Sequence, residues 1–189
     1  MLKIKLDNKN YKKELKKVKK YIKECDGAGI KFKVNYDSNI KEEYKTNFEL
    51  IEKAINIKDK KERYSFIYDE VCKFLDNEYI TKNLCDFKDN VCAYYRSINE
   101  FDHKNGCCFS AKRGGLCNNL DLDHCKISSI SCKLYSCPLL RNNKINFKMK
   151  NIPLIKYFFS IKQKYYIKYS FFKPKSYVMY KLMECRNEK

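Results

Sequence analysis

Six cysteines, Cys107, Cys108, Cys117, Cys125, Cys132 and Cys137, fall within 31 residues of a 189-residue chain that holds 11 in all. Thiolates are the natural ligands of iron–sulfur clusters and of zinc, and they are the nucleophiles of redox chemistry. Between successive members of the group stand zero, eight, seven, six and four residues. Each of the longer spacings lets the chain bend back on itself. Four converging thiolates around a cation or cluster would fix a stretch otherwise poor in regular structure. Because such a site does not preform in an unfolded chain, losing one true ligand would loosen the whole segment.

The spacing bears on the metal. Tetrahedral zinc sites commonly draw ligands in pairs two to four residues apart. Only Cys132 and Cys137 make such a pair, and adjacent Cys107 and Cys108 would strain to share one small ion. His103 and His124 could complete a mixed site, but neither lies at a zinc-finger spacing. An iron–sulfur cluster is larger and tolerates more dispersed cysteines. Iron–sulfur is therefore the preferred cofactor and zinc the alternative, with redox thiols lacking a metal as a third outcome. Cys108, Cys117, Cys125 and Cys137 are the expected ligands, with Cys107 and Cys132 as rivals. The surplus thiols would pack beside the site or form a second one. Phe109, Leu116, Leu120, Leu122, Leu134, Tyr135 and Leu139 interleave with the cysteines. They either shield a cluster from water or dock the segment on the rest of the chain.

The run Cys107-Cys108, the spaced Cys117 and Cys125, and Cys132-Lys133-Leu134-Tyr135-Ser136-Cys137-Pro138 resembles the bacterial cysteine-rich family of zinc- or iron-chelating domains. The resemblance covers residues 103–140 and implies metal binding without naming a reaction. That family often carries a further cysteine three positions before the adjacent pair, where this chain has Lys104. The Cys137-Pro138 step is also similar to the cysteine–proline end of bacterial ferredoxin motifs.

Signs of catalysis are few. His103 and His124 are the only histidines. His103 follows Asp102, but adjacency in the chain does not aim two side chains at each other. Lys112-Arg113-Gly114-Gly115 lacks the spacing of a phosphate-binding loop. The compact three-cysteine motif of radical S-adenosylmethionine enzymes is absent from the sequence. Ser128, Ser129 and Ser131 offer turn and capping groups rather than a nucleophile.

A formal charge of +18 sets a strong positive potential that nucleic acid, an acidic protein or an acidic membrane face would feel. Of the 41 basic residues only five are Arg, while Asn reaches 18, a bias expected of AT-rich codons. Arginine is the residue of bidentate phosphate and base recognition, so its scarcity weakens the nucleic-acid reading without removing lysine-based attraction. Lys9, Lys12, Lys13, Lys16, Lys17, Lys19 and Lys20 decorate one helix. Lys162, Lys164, Lys168, Lys173 and Lys175 accompany an aromatic tail. Those lysines either grip phosphates or form a solvated face, and the tyrosines either stack on bases or pack in the core. Lys112 and Arg113 would place nucleic acid near the cysteines.

The first residues, Met1 to Asp7, alternate charged with apolar side chains and show no signal-peptide core. No apolar run approaches the roughly 18 residues of a membrane span. The expected compartment is the cytoplasm, where persistent disulfides are disfavoured. The odd cysteine count adds nothing in favour of a fully paired scaffold.

These residues must be positioned by a mainly α fold, since Gly and Pro number only five and three. Leu15, Val18, Ile22 and Cys25 return at helical spacing until Gly27 and Gly29. Residues 30–36 alternate with period two, and with residues 2–6 predict a small two-stranded element. Tyr44, Phe48, Ile51 and Ile55 line one further helix. Asp59 and Glu62 cap the next, which carries Tyr64, Ile67, Tyr68, Val71, Phe74 and Leu75. Another short helix is expected around Leu84, Phe87, Val91, Tyr94 and Tyr95, with Cys72, Cys85 and Cys92 as core thiols. Pro153 opens a long amphipathic stretch holding Ile155, Phe158, Phe159, Ile161, Tyr165, Tyr166, Tyr169 and Phe172. Pro174 ends it, before a terminal helix with Tyr177, Val178, Tyr180, Leu182 and Met183. The expectation is a single mainly helical domain, 1–189, with an irregular cysteine-rich metal-binding lobe embedded at 103–140.

Three functions fit these residues. The preferred one is a cytoplasmic iron–sulfur protein in which the cluster has a structural, redox or regulatory role. A basic nucleic-acid-binding protein with a structural zinc or iron–sulfur site is the second, and an acidic protein is the other candidate partner. An iron–sulfur enzyme is the third.

Overall fold

Residues 1–78, 82, 84 and 129–185 are described by the structure, a computed structural model, together with the backbone of four two-residue strands between 109 and 125. Helices predominate, with one small parallel sheet. The chain divides into two compact units, Met1–Ile67 with Lys150–Ser160, and Tyr68–Met149 with Ile161–Lys189.

In the first unit, β1 (Leu2–Leu6) and β2 (Phe32–Tyr36) pair in register, Leu2 opposite Phe32 and Leu6 opposite Tyr36. The sheet is parallel because helices intervene, α1 (Tyr11–Lys16) and α2 (Val18–Ala28), and a crossover of that length returns the chain in its original direction. Alternation buries Leu6, Phe32 and Val34 and exposes Lys3, Lys5 and Lys33. The outer edge of β2 is met by side chains of α3 (Glu42–Asn56) instead of a third strand. Glu52 Oε2 accepts the Val34 N–H at 2.9 Å, and the Asn56 amide accepts the Phe32 N–H and donates to its carbonyl, both at 2.9 Å. The fit is geometric. Four residues of helix rise about 6 Å, close to the ~6.6 Å between alternate strand residues.

The helix expected over 11–25 is two helices with a break at Lys17, whose N–H turns back to the Glu14 carbonyl at 3.0 Å. Their buried face is Tyr11, Glu14, Val18, Tyr21 and Cys25: Val18 and Cys25 are buried as expected, while Glu14 and Tyr21 take the inward places expected of Leu15 and Ile22. Aromatic packing decides this. Tyr11 stacks on Tyr44 with centroids 3.8 Å apart, and Tyr21 packs on Phe32 at 5.2 Å. Buried Glu14 is satisfied by the Lys17 ammonium at 2.8 Å and by the Tyr21 hydroxyl, which donates to it. Helix α2 runs through Gly27 and stops at Gly29, which takes the left-handed φ of 64° that closes a helix at little cost to glycine.

Asp59 caps α4 (Lys60–Asp76) as expected, accepting the Glu62 N–H at 2.8 Å. Phe48, Ile51, Ala54 and Ile55 of α3 are buried, each large side chain worth roughly 1.5–3 kcal/mol. Pro153 starts α7 (Pro153–Phe158), which packs on α2 and α3.

In the second unit, Tyr68, Val71, Cys72 and Leu75 of α4 are buried, whereas Phe74 is exposed and meets Phe147 edge-on at 6.0 Å. Two antiparallel pairs follow, β3 (Phe109–Ser110) with β4 (Gly115–Leu116), and β5 (Leu120–Asp121) with β6 (His124–Cys125). Then come α5 (Ile130–Lys133) and α6 (Pro138–Asn142). The long stretch expected after Pro153 is interrupted by extended Phe159 and non-helical Ser160, so that α8 (Ile161–Tyr169) is a separate helix. Pro174 caps α9 (Lys175–Glu184). The Gln163 amide donates to the Leu182 carbonyl at 2.9 Å and ties α8 to α9.

Candidate functional site

The cysteine-rich segment ends in a well-fixed anchor. Ser129 caps α5, accepting the Cys132 N–H at 3.5 Å, and its hydroxyl also donates to the Ser170 carbonyl at 3.4 Å. Ser131 donates to the Ile167 carbonyl, so two buried serines fasten α5 to the end of α8. The Ile130 N–H donates to the Tyr68 hydroxyl at 3.3 Å. Lys133 reaches Asp76, and Lys175 holds Asp69 with bonds of 2.7 and 2.6 Å. Between those two carboxylates on α4, one turn from each, lies Cys72. Burial pushes its thiol up to about 12, so it stays protonated and behaves as an apolar group. Burial likewise raises the thiol of Cys25.

Of the six clustered cysteines, Cys132 and Cys137 are fully described. Neither is in a disulfide, and nor are Cys25, Cys72 and Cys185. Cys132 is half-buried on α5, and its Sγ accepts the backbone N–H of Phe172 at 3.4 Å. Phe172 makes that bond from the left-handed region, at φ 60°. Cys137 is buried at the cap position of α6 and makes no side-chain capping bond there. Pro138 is the first residue of α6, a backbone role that accounts for the Cys137-Pro138 step.

Cys125 lies on β6 with its backbone opposite Leu120. Cys107, Cys108 and Cys117 lie outside the described residues, as do His103, Lys112, Arg113, Cys85, Cys92 and, apart from Leu84 itself, the helix expected near Leu84–Tyr95. Phe109 and Leu116, which pair across β3 and β4, are the chain neighbours of Cys108 and Cys117. Among the described residues, no three His, Cys, Asp or Glu side chains are grouped so as to hold a metal ion. No helix among them is long and apolar enough to cross a membrane.

A second feature of this unit departs from the core role open to the tail tyrosines. Tyr165, Tyr169, Tyr177 and Tyr180 are 60, 54, 40 and 59% exposed, while Gln163, Ile167, Val178 and Leu182 face inward. Of the two roles open to them in sequence, these four rings take the outward one. The inward Gln163, satisfied by the Leu182 carbonyl, is the signal that the helix is turned the other way. Lysine ammoniums stand over three of the rings: Lys168 at Tyr169, 5.1 Å, Lys173 at Tyr177, 5.2 Å, and Lys181 at Tyr180, 5.2 Å.

No protein-family model, curated protein or solved structure matches the chain.

Proposed function

We propose that this chain is a metal-binding protein whose segment 107–137 holds an iron–sulfur cluster through cysteine thiolates, with Cys108, Cys117, Cys125 and Cys137 as ligands and zinc as the alternative metal. The density of thiols carries the reading: six within 31 residues. The backbone pairing supports it. One hairpin pairs the chain neighbours of Cys108 and Cys117, and the next contains Cys125. Short paired segments suit a stretch folded around a ligand rather than around a core of its own. Cys132 fits the role of a rival or neighbouring thiol, since N–H donation to sulfur, as from Phe172, is one of the means by which a protein tunes a cluster.

Serine at each of the four proposed positions separates ligand from packed thiol. Anaerobically purified Cys108→Ser, Cys117→Ser, Cys125→Ser and Cys137→Ser should lose the visible absorption of the cluster, and Cys72→Ser should keep it. Retention of full absorption in all four ligand variants would overturn this assignment.

A further inference from the structure

We propose that the outward faces of α8 and α9 bind single-stranded nucleic acid, with tyrosine rings stacking on unpaired bases and lysine ammoniums meeting the phosphates. This goes beyond the metal site and does not depend on it.

Local charge favours a polyanion here. Codon bias accounts for lysine across the chain, where 41 basic residues face 23 acidic ones. It does not account for residues 161–185, which hold six lysines and a single acid, Glu184. The exposed rings add flat apolar faces to that charge. A soluble helix that needs only solvation turns lysines outward and aromatic rings inward. Here Tyr165 and Tyr169, one turn apart with centroids 4.5 Å from each other, stand outward beside Lys168. On α9, Tyr177 and Tyr180 do the same beside Lys173 and Lys181. The support beneath the rings is fixed. The Gln163–Leu182 bond holds the two helices together, and the serine bonds from α5 fix the end of α8. Rings on a fixed support lose little freedom when a ligand settles on them.

Flat apolar faces and positive charge together select the occupant. An acidic peptide answers the charge and leaves the rings unmatched. Duplex nucleic acid answers the charge but keeps its bases stacked inside. A single strand satisfies both, because every base offers a π-face and every linkage a phosphate.

The test uses the full chain and fluorescence anisotropy with labelled oligouridylate, labelled oligothymidylate and a duplex of equal length, with polyglutamate as competitor. Single strands should bind more tightly than the duplex and resist polyglutamate. Replacing Tyr165 and Tyr169 by Ala should weaken single-strand binding by about 5- to 150-fold per ring engaged, and Phe at both positions should restore it. Lys168→Gln with Lys173→Gln should lower the salt slope by about 1.4. Circular dichroism and the unfolding midpoint should be unchanged in each variant, because these side chains are outside the core. Three results would overturn the proposal: no binding to either strand, equal binding to duplex with no effect of the alanines, or displacement by polyglutamate at equal charge. None of them bears on metal content, so this inference and the metal reading fail separately.

Discussion

Arg63 holds Asp26 in a two-pronged bond, Nη1 to Oδ2 at 2.8 Å and Nη2 to Oδ1 at 2.7 Å, from a guanidinium only 4% exposed. The same side chain donates to the Ile57 carbonyl at 2.9 Å and to the Ile55 carbonyl at 3.5 Å. One arginine thus joins the last turn of α2 to the end of α3 and the start of α4. Only a planar fork can meet a carboxylate and two carbonyls together. In a chain with five arginines this use is structural, and it argues against reading the rest of the basic residues by type alone.

Truncating Arg63 should therefore cost more than an ordinary surface ion pair. Arg63→Met should lower stability by about 1.5–3 kcal/mol, because it removes charge-assisted bonds and leaves two carbonyls and Asp26 unpaired. The partial exposure of Asp26 keeps the loss below that of a fully buried pair. Arg63→Lys should recover only part of it. Urea midpoints at unchanged slope measure the effect. A shift indistinguishable from zero in Arg63→Met would contradict this role.

The same pair sets an acid dependence. The Arg63 guanidinium lowers the Asp26 carboxyl below its usual value near 3.8. A group depressed in the folded state contributes stability above its unfolded pKa, and that contribution is lost as pH falls through the folded value. Stability should thus be flat near neutrality and fall below about pH 4. Glu14 adds to the fall. Burial works against its ionised form, but the hydrogen bonds from Lys17 and Tyr21 outweigh burial and lower its pKa. Asp26→Asn should flatten part of the acid limb of a stability–pH curve, and Glu14→Gln with Asp26→Asn should flatten more. An unchanged limb in both would rule out these carboxylates.

The two glycines at the end of α2 should respond with opposite sign. Gly27 is helical, with nothing within 4 Å of a new Cβ, so Gly27→Ala should stabilise by about 0.5–1 kcal/mol. Gly29 has equally open space but a φ of 64°, so Gly29→Ala should destabilise by roughly 1–2 kcal/mol through the backbone alone. Thermal midpoints of the two variants should move in opposite directions, and a shift of the same sign in both would refute the left-handed assignment.

What could be read from the chain beforehand follows the physics. The strands at 2–6 and 32–36 announce themselves because alternation is a local property. Their edge partners Glu52 and Asn56 do not, because a side chain bonding to a strand edge leaves no periodic trace. The helix starts marked by Asp59, Pro153 and Pro174 were legible from residue type. The breaks at Lys17 and Phe159 were not, since neither position carries a glycine or proline. Glu14 and Gln163 look like solvent residues in sequence and are buried, each satisfied by a partner seven or more positions away. At the candidate site, density and spacing pointed to chemistry, while the choice among six thiols depends on three-dimensional convergence that spacing does not encode.

Elemental analysis of anaerobically purified protein for iron, zinc and acid-labile sulfide, with an ultraviolet–visible spectrum, tests the metal most directly. Iron and sulfide in matching amounts, with broad visible absorption that the four serine variants abolish, is the predicted result. Zinc in equimolar amount without sulfide would contradict the iron–sulfur assignment, and protein that binds neither metal would contradict the account itself.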